Sequence, residues 1–531
     1  MDKRLFGVGI MASAGVLNAQ DSAVELRTEL RDLQSDYESR IALLEAKIRE
    51  LEASESGNSN PRKIAAARNQ TVEAPHPADK PDLPGAITRG NTEVRDIARE
   101  SDFNKRLEQR VGDVLEDFVE INGYFRAGYG RSDKGGPMRA FGAPGVAKYR
   151  LGNETENYGE LVFSKTFYTP GYFSDATANA TDPVASFVYR LSFVNPYDDY
   201  GSSADTDFGS PEIWGALENV IPGLPEARFW AGERFYRRHD IHINDFYFWD
   251  MSGGGGGLEE IPLGPGSFAV AWIGNGRESG IYERNLIADP LNVAGFSKST
   301  IDFRYYDWDF LGGKGEVGLA VSLADSGVDA NGLRAEDSEG VALVLVKTDE
   351  DFLDDESLHR ASLQIGTGPA KTFTSGFETF TNSIGTFIRP DPNESWRFRA
   401  TDQVIVKPWE QLGLGSALVY QYTDFGDNTD PQQWASGGIR PIWFFNDAVN
   451  LAFEAGVDWL SDSSLGSGGT IGKLTLAPQV ALGEGFFSRP VLRAFVTYAL
   501  WGGGLQGSIG GPDYAGEENG WSWGLQMESW W

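Results

Sequence analysis

The chain has 531 residues with no cysteine, 65 glycines, 40% hydrophobic residues and 12% aromatics, a composition too rich in wall-forming rings and turn residues for a disordered chain. Without cysteine there is neither a disulfide framework nor a thiolate metal site. The formal charge of −31 argues against a nucleic-acid partner, which needs a net basic surface, and is compatible with neutral or cationic solutes.

Residues 1–19 read as a secretory signal. Lys3 and Arg4 give a short positive start, Leu5 to Leu17 a mostly apolar core, and Ala19 a small residue at the cut. A buried N-terminal helix is the alternative, and the polar, charged stretch from Gln20 weighs against it. No later run reaches the ~18 apolar residues that a membrane-spanning helix requires. The secreted chain is therefore either soluble or crosses a membrane as strands.

Residues 20–53 are predicted to form a periplasmic α-helical coiled coil. Leu26, Leu30, Leu33, Tyr37, Ile41, Leu44, Ile48 and Leu51 recur at steps of three and four, with one additional four-residue step from Tyr37 to Ile41 that locally unwinds the supercoil. The seam is narrow and densely flanked by charge, which favours self-association over packing of a lone helix on a globular core. Residues 54–93 lose this period and collect Ser, Asn, Gly and Pro, as a linker does. A short helix is expected over 94–117.

From residue 118 the pattern becomes period two. Val119, Ile121, Phe125 and Ala127 alternate with Glu120, Asn122, Tyr124 and Arg126. The stretch from Lys148 is read as a second strand, with Arg150, Glu154, Glu156, Tyr158 and Glu160 on its polar face. Further strands are predicted at 226–238, 266–274, 300–308, 315–323, 340–347, 359–366, 394–407, 413–423, 436–446, 449–459, 472–481 and 488–500. Gly253 to Gly257 is read as a tight bend. A soluble sandwich or propeller would bury its apolar face, whereas a membrane barrel turns that face to lipid and its polar face to a lumen. The last strand favours the barrel. Trp521, Trp523, Leu525, Met527 and Trp531 share one face, and Ser522, Gln526, Glu528 and Trp530 share the other. The fold class is thus all-β, an antiparallel transmembrane β-barrel over 118–531 with an N-terminal coiled coil.

His239 and His242 lie three apart, but no third ligand has convincing spacing, so neither metal nor cofactor is expected. Nothing marks a nucleophile elbow or a phosphate loop, so the chain is not read as an enzyme. The informative feature is rings on the polar face: Tyr124 beside Arg126, Tyr158 beside Arg150 and Glu160, Phe487 beside Arg489 and Arg493, and Trp530 beside Glu528. Rings flanked by ionic groups suit carbohydrate. The apolar face of a pyranose lies on a ring while Arg and carboxylates bond its hydroxyls. Several weak sites in a row allow sliding. The alternative is that some rings only fill lumen space beside inward loops.

These residues resemble the maltoporin family of outer-membrane sugar channels. The resemblance is carried by Gly123-Tyr124-Phe125-Arg126, by Lys148 to Glu154 with Tyr158 to Leu161, by Trp230 to His242 with Asp245 to Asp250, by Gly438 to Pro441, by Ser488 to Pro490, and by Met527 to Trp531. It implies an 18-stranded barrel in a homotrimer in the bacterial outer membrane, surrounded by its lipid. A long third loop over 233–257 would fold into each pore. It implies that Arg238, Asp240, His242, Asp245 and Tyr247 form the constriction. Tyr124, Tyr158, Phe487 and Trp530 fall on an aromatic slide, and Arg126, Arg150 and Glu160 on a polar track. The family's outermost ring falls at Ser203, near Tyr197 and Tyr200, one polar-track Arg at Pro211, and a mid-barrel ring near Leu343. The coiled coil resembles that of the sucrose porins, and both peptidoglycan anchoring and trimer nucleation suit it. The function implied is passive diffusion of maltose and maltodextrins, with a sucrose-preferring or broad sugar porin, or a general diffusion porin, as alternatives.

Overall fold

The computed structural model describes residues 119–168, 182–195, 207–277, 296–328, 334–335, 337–376, 380–381, 387–388, 393–426, 431–462 and 467–531. The signal sequence, coiled coil, linker and short helix, and Tyr197, Tyr200 and Ser203, lie outside the described residues.

Eighteen strands form the wall. They are β1 (Glu120–Ser132), β2 (Asn157–Tyr168), β3 (Val184–Asn195), β4 (Asp207–Glu218), β5 (Arg228–Arg234), β6 (Gly253–Leu263), β7 (Gly266–Arg277), β8 (Phe296–Phe310) and β9 (Gly313–Ala324). The second half comprises β10 (Ser338–Glu350), β11 (Leu358–Thr367), β12 (Trp396–Trp409), β13 (Leu412–Asp424), β14 (Gln432–Phe444), β15 (Val449–Asp462), β16 (Ser467–Ala481), β17 (Val491–Trp501) and β18 (Asn519–Trp530). Each pairs antiparallel with the next, and β18 closes on β1 from Tyr124↔Trp530 to Ser132↔Ser522. Closure leaves no free edge in the wall, as a bilayer demands. All but β5 run 10–15 residues, and about 9–11 tilted residues cross a hydrocarbon core. Among the described residues no helix is long and apolar enough to cross a membrane.

The wall is inside out relative to a soluble protein. Along β18, Trp521, Trp523 and Leu525 are exposed, whereas Ser522, Gln526 and Glu528 are buried. Leu525 is 65% exposed and its neighbour Gln526 4%. The same inversion holds on the opposite side, where Leu363 and Ile365 face out and Gln364 is buried. Apolar residues displayed around a closed wall have lipid as their solvent.

Three segments fold into the lumen: 137–156 after β1, 235–252 after β5, and 368–376 after β11. The first corrects the strand reading from Lys148, since β2 begins only at Asn157. Residues 148–156 cross to the far wall, where the Tyr149 ring lies over the paired Gly438 and Gly456. A Cβ on either glycine would come within 2.2 Å of that ring. Tyr149 also exchanges a 2.9 Å hydroxyl bond with Ser436. Local alternation cannot reveal a loop that packs on strands 300 residues away.

Gly253 to Gly257 is likewise not a bend but the start of β6. A Cβ at Gly255 would lie 2.1 Å from the Trp272 carbonyl oxygen, so the glycines let neighbouring backbones close up beside the inward loop. The strands β3 and β4 are additions to the sequence reading. Leu343 is 50% exposed and points outward, so it occupies no lumen position. Phe487 and Arg489 lie in the turn before β17 rather than on a strand face.

Candidate pore lining and constriction

β1, β2 and β18 bring three of the expected rings together. Tyr124 stacks at 6.3 Å on Trp530 and lies 5.9 Å from Tyr158. The register explains this, because Tyr124 pairs directly with Trp530 across β1–β18, and Arg126 with Tyr158 across β1–β2. Guanidinium groups lie over two of the rings, Arg489 at 4.0 Å from Trp530 and Arg126 at 5.6 Å from Tyr158. Trp531, one residue on, stacks instead with Phe125 on the outer face.

A dense ionic network borders these rings. Glu528 accepts from the Tyr124 hydroxyl at 3.0 Å, and pairs with Arg150 at 3.0 Å, Arg489 at 2.8 Å and Arg493 at 3.0 Å. Glu154 bridges Arg126 and Arg150, each at 3.0 Å, while Arg126 also pairs with Glu156. Farther along, the Tyr158 hydroxyl donates to Glu160, which with Glu212 flanks Arg190. The expected Arg126, Arg150 and Glu160 all belong to this network. Arg190 and Glu212 were not anticipated, because β3 and β4 were not read as strands. The alternation of Phe187, Tyr189 and Leu191 with Val188 and Arg190 carried the signal.

Phe487 sits apart from this geometry. It is 8% exposed and meets the His242 ring edge-on at 5.0 Å and Phe486 at 5.1 Å. This packing matches the space-filling alternative for a lumen ring.

The five expected constriction residues all lie on the 235–252 segment but divide into two groups. Asp245 is exposed, and Arg238 and Tyr247 are half-buried, with the Arg238 guanidinium 3.6 Å from the Phe235 ring and 4.6 Å from the Tyr247 ring. Asp240 and His242 are buried against the far wall, where Gln403 clamps the backbone. Its Nε2 donates to the Asp240 carbonyl at 2.9 Å and its Oε1 accepts from the His242 N–H at 3.1 Å. Burial, reinforced by the Arg150, Arg440 and Arg489 cations, holds the His242 imidazole well below its ordinary pKa. His239 is held down by burial in the same way, despite Glu316 at 2.8 Å. Asp245 adopts φ 49° where the tip turns back. Among the described residues no group of His, Cys, Asp or Glu could hold a metal ion.

A family model described as LamB porin matches residues 119–531. The chain belongs to the LamB porin family. It is therefore an outer-membrane porin, a channel for passive diffusion, in the bacterial outer membrane. Solved porins show more distant likeness. OmpT, an outer-membrane protein of Vibrio cholerae in trimer form, is 11% identical over 78% of this chain and 99% of its own, with a TM-score of 0.36. The anion-selective porin from Comamonas acidovorans is 11% identical over 78% and 99%, with a TM-score of 0.37. OccAB4 of Acinetobacter baumannii is 10% identical over 78% and 99%, with a TM-score of 0.40. The assignment to the LamB porins rests on the family model and not on these.

Within this LamB porin barrel, the wall opposite the rings serves another purpose. Gln364 and Arg399 donate to the Phe248 carbonyl at 3.0 and 2.7 Å, Arg440 to that of Ile243 at 3.2 Å, and Arg304 to that of Arg237 at 2.8 Å. These inward polar residues bond loop backbone and so hold the inward segments against the wall.

Proposed function

We propose that this porin conducts sugars, with maltose and maltodextrins preferred, by facilitated diffusion in which no bond is made or broken. The observation that carries the reading is the contiguous Tyr158–Tyr124–Trp530 row on the lumen side, edged by Arg126, Arg150, Glu154 and Glu528. A pyranose presents an apolar face to such rings and a belt of hydroxyls to such charges. Arg–carboxylate pairs exchange hydroxyl bonds stepwise, so each advance replaces the bonds it breaks. Arg238, Asp245 and Tyr247 would then narrow the path, with Asp240 and His242 shaping it from behind. Phe487 would border the far end of the row.

The working assembly in this reading is a homotrimer in outer-membrane lipid, with residues 20–53 in the periplasm. That coiled coil would bind peptidoglycan or nucleate the trimer. A sucrose-preferring or broad sugar porin is the second reading. It is favoured by the short row of rings, since Leu343 faces outward and Phe487 is nearly covered. Liposomes carrying the full chain distinguish these readings by swelling rate in maltotriose and raffinose, trisaccharides of equal mass. Faster entry of maltotriose supports the first reading, and faster entry of raffinose, which contains the sucrose unit, supports the second. Equal rates would leave only a diffusion pore.

A further inference from the structure

Three buried wall residues on β14, β15 and β16 form an ionic node that the ring row does not include. Glu454 is 0% exposed. Its Oε2 accepts from Arg440 Nε at 2.8 Å and Nη2 at 2.5 Å, and its Oε1 from Lys473 Nζ at 2.8 Å. All three residues also bond the backbone of an inward segment. Glu454 Oε1 accepts the Leu151 N–H at 3.1 Å, Lys473 Nζ donates to the Leu151 carbonyl at 2.6 Å, and Arg440 Nη2 donates to the Ile243 carbonyl at 3.2 Å. The two segments meet at the same place, where the Arg150 N–H donates to the Ile243 carbonyl at 3.1 Å. One carboxylate thus joins the first inward segment, the tip of the constriction loop and three wall strands.

We propose that Arg440, Glu454 and Lys473 are positioning residues that fix the two inward segments against each other, thereby setting the pore width and aiming Arg150 at Tyr124 and Glu528. The second half of this statement rests on the sugar reading above; the first does not. Leu151 is held at both its N–H and its C=O, one residue after Arg150, so the backbone there has little freedom to swing. The Arg150 side chain then reaches Glu528 at 3.0 Å and the Tyr124 hydroxyl at 3.2 Å on the ring-lined wall. A charged node suits this task because its bonds to peptide groups are charge-assisted and buried. Its one carboxylate is matched by two cations. A variant that removes one cation therefore leaves a complete pair, and so separates positioning from folding.

The test uses the full chain in planar bilayers, with heat-modifiable mobility on gels as the check of barrel assembly. Lys473→Met keeps the Arg440–Glu454 pair and deletes the charged tie to the Leu151 carbonyl, which then has the Thr475 hydroxyl at 3.0 Å as its side-chain donor. Glu454→Gln deletes the charge that organises all the ties, and Gln479→Ala, a lumen change on the strand of Lys473 whose side chain donates to Asn450, is the control. Both node variants are expected to show broadened open-channel noise with sublevels, and at least a fivefold higher maltotriose concentration for half-closure. The control should match the wild type. Assembled Lys473→Met channels with wild-type noise and conductance would overturn the proposal, even if Glu454→Gln fails to assemble. Should maltotriose leave the wild-type current unchanged, the sugar reading falls, while noise and sublevels still decide whether the node positions the segments.

Discussion

The ring-lined wall of β1, β2 and β18 and the opposite wall of β11, β12 and β14 have the same pattern in sequence, apolar outward and polar inward, yet their lumen faces do different work. On the first, Tyr124, Tyr158 and Trp530 form a row beside paired Arg and Glu. On the second, Gln364, Arg399, Gln403 and Arg440 each bond the backbone of an inward loop. The difference lies in the next layer inward. On the second wall the polar lumen residues hold loop backbone in place, whereas beside the rings they chiefly pair with one another.

The sharpest way to break this comparison is at Glu528, which gathers Arg150, Arg489 and Arg493 beside the rings. Glu528→Gln leaves three buried guanidinium groups without their shared carboxylate, a change of the kind that costs ~3–5 kcal/mol. Thermal unfolding should shift down, and sugar closure should weaken by more than about tenfold, the equivalent of 1.4 kcal/mol. Next in size is Tyr158→Ala. Removing one stacking ring should raise the half-closing maltotriose concentration about fivefold, from the ~0.5–1.5 kcal/mol of an aromatic contact. Phe163→Ala, on the outer face of the same strand, should leave it unchanged.

On the opposite wall the expectation reverses. Gln403→Leu removes both bonds to the loop backbone, the one to the Asp240 carbonyl and the one from the His242 N–H, each worth ~0.5–1.5 kcal/mol, so the loop should relax. Open-channel conductance should rise, while sugar closure weakens by less than about threefold because the ring row is untouched. If Gln403→Leu instead weakens closure more than Tyr158→Ala, the division between the two walls is wrong.

The smallest effect expected is with pH. His242 and His239 are held below their ordinary pKa by burial, so the folded pore disfavours their protonation relative to the unfolded chain. Unfolded histidine protonates near 6.5. Their contribution to stability is therefore complete above that value and is lost as pH falls below it. Pore current should not step between pH 8 and 6. A sigmoidal change centred near 6.5 would show that one of these imidazoles is open to water.

Much of this division was visible before the structure. Period-two alternation found most of the wall, and parity placed Trp530 inside and Trp531 outside. It also put Tyr124, Tyr158, Arg126 and Glu160 on one lumen face. It failed where structure depends on distant partners. Arg150 shares parity with Tyr158 by coincidence, since it reaches Glu528 from an inward segment and not from β2. Gly253 to Gly257 looked like a bend because five glycines carry no alternation, whereas Gly253, Gly255 and Gly257 sit where a Cβ would crowd the β7 backbone. The roles of Gln403 and Glu454 could not be read at all, because the peptide groups they bond lie more than 150 residues away.

Single-channel conductance of the wild-type chain with maltotriose added in steps is the most direct test. Concentration-dependent closure that saturates is expected, as the sugar occupies the Tyr158–Tyr124–Trp530 row. Current unaffected at high sugar concentration would contradict it and leave the rings as lumen filling.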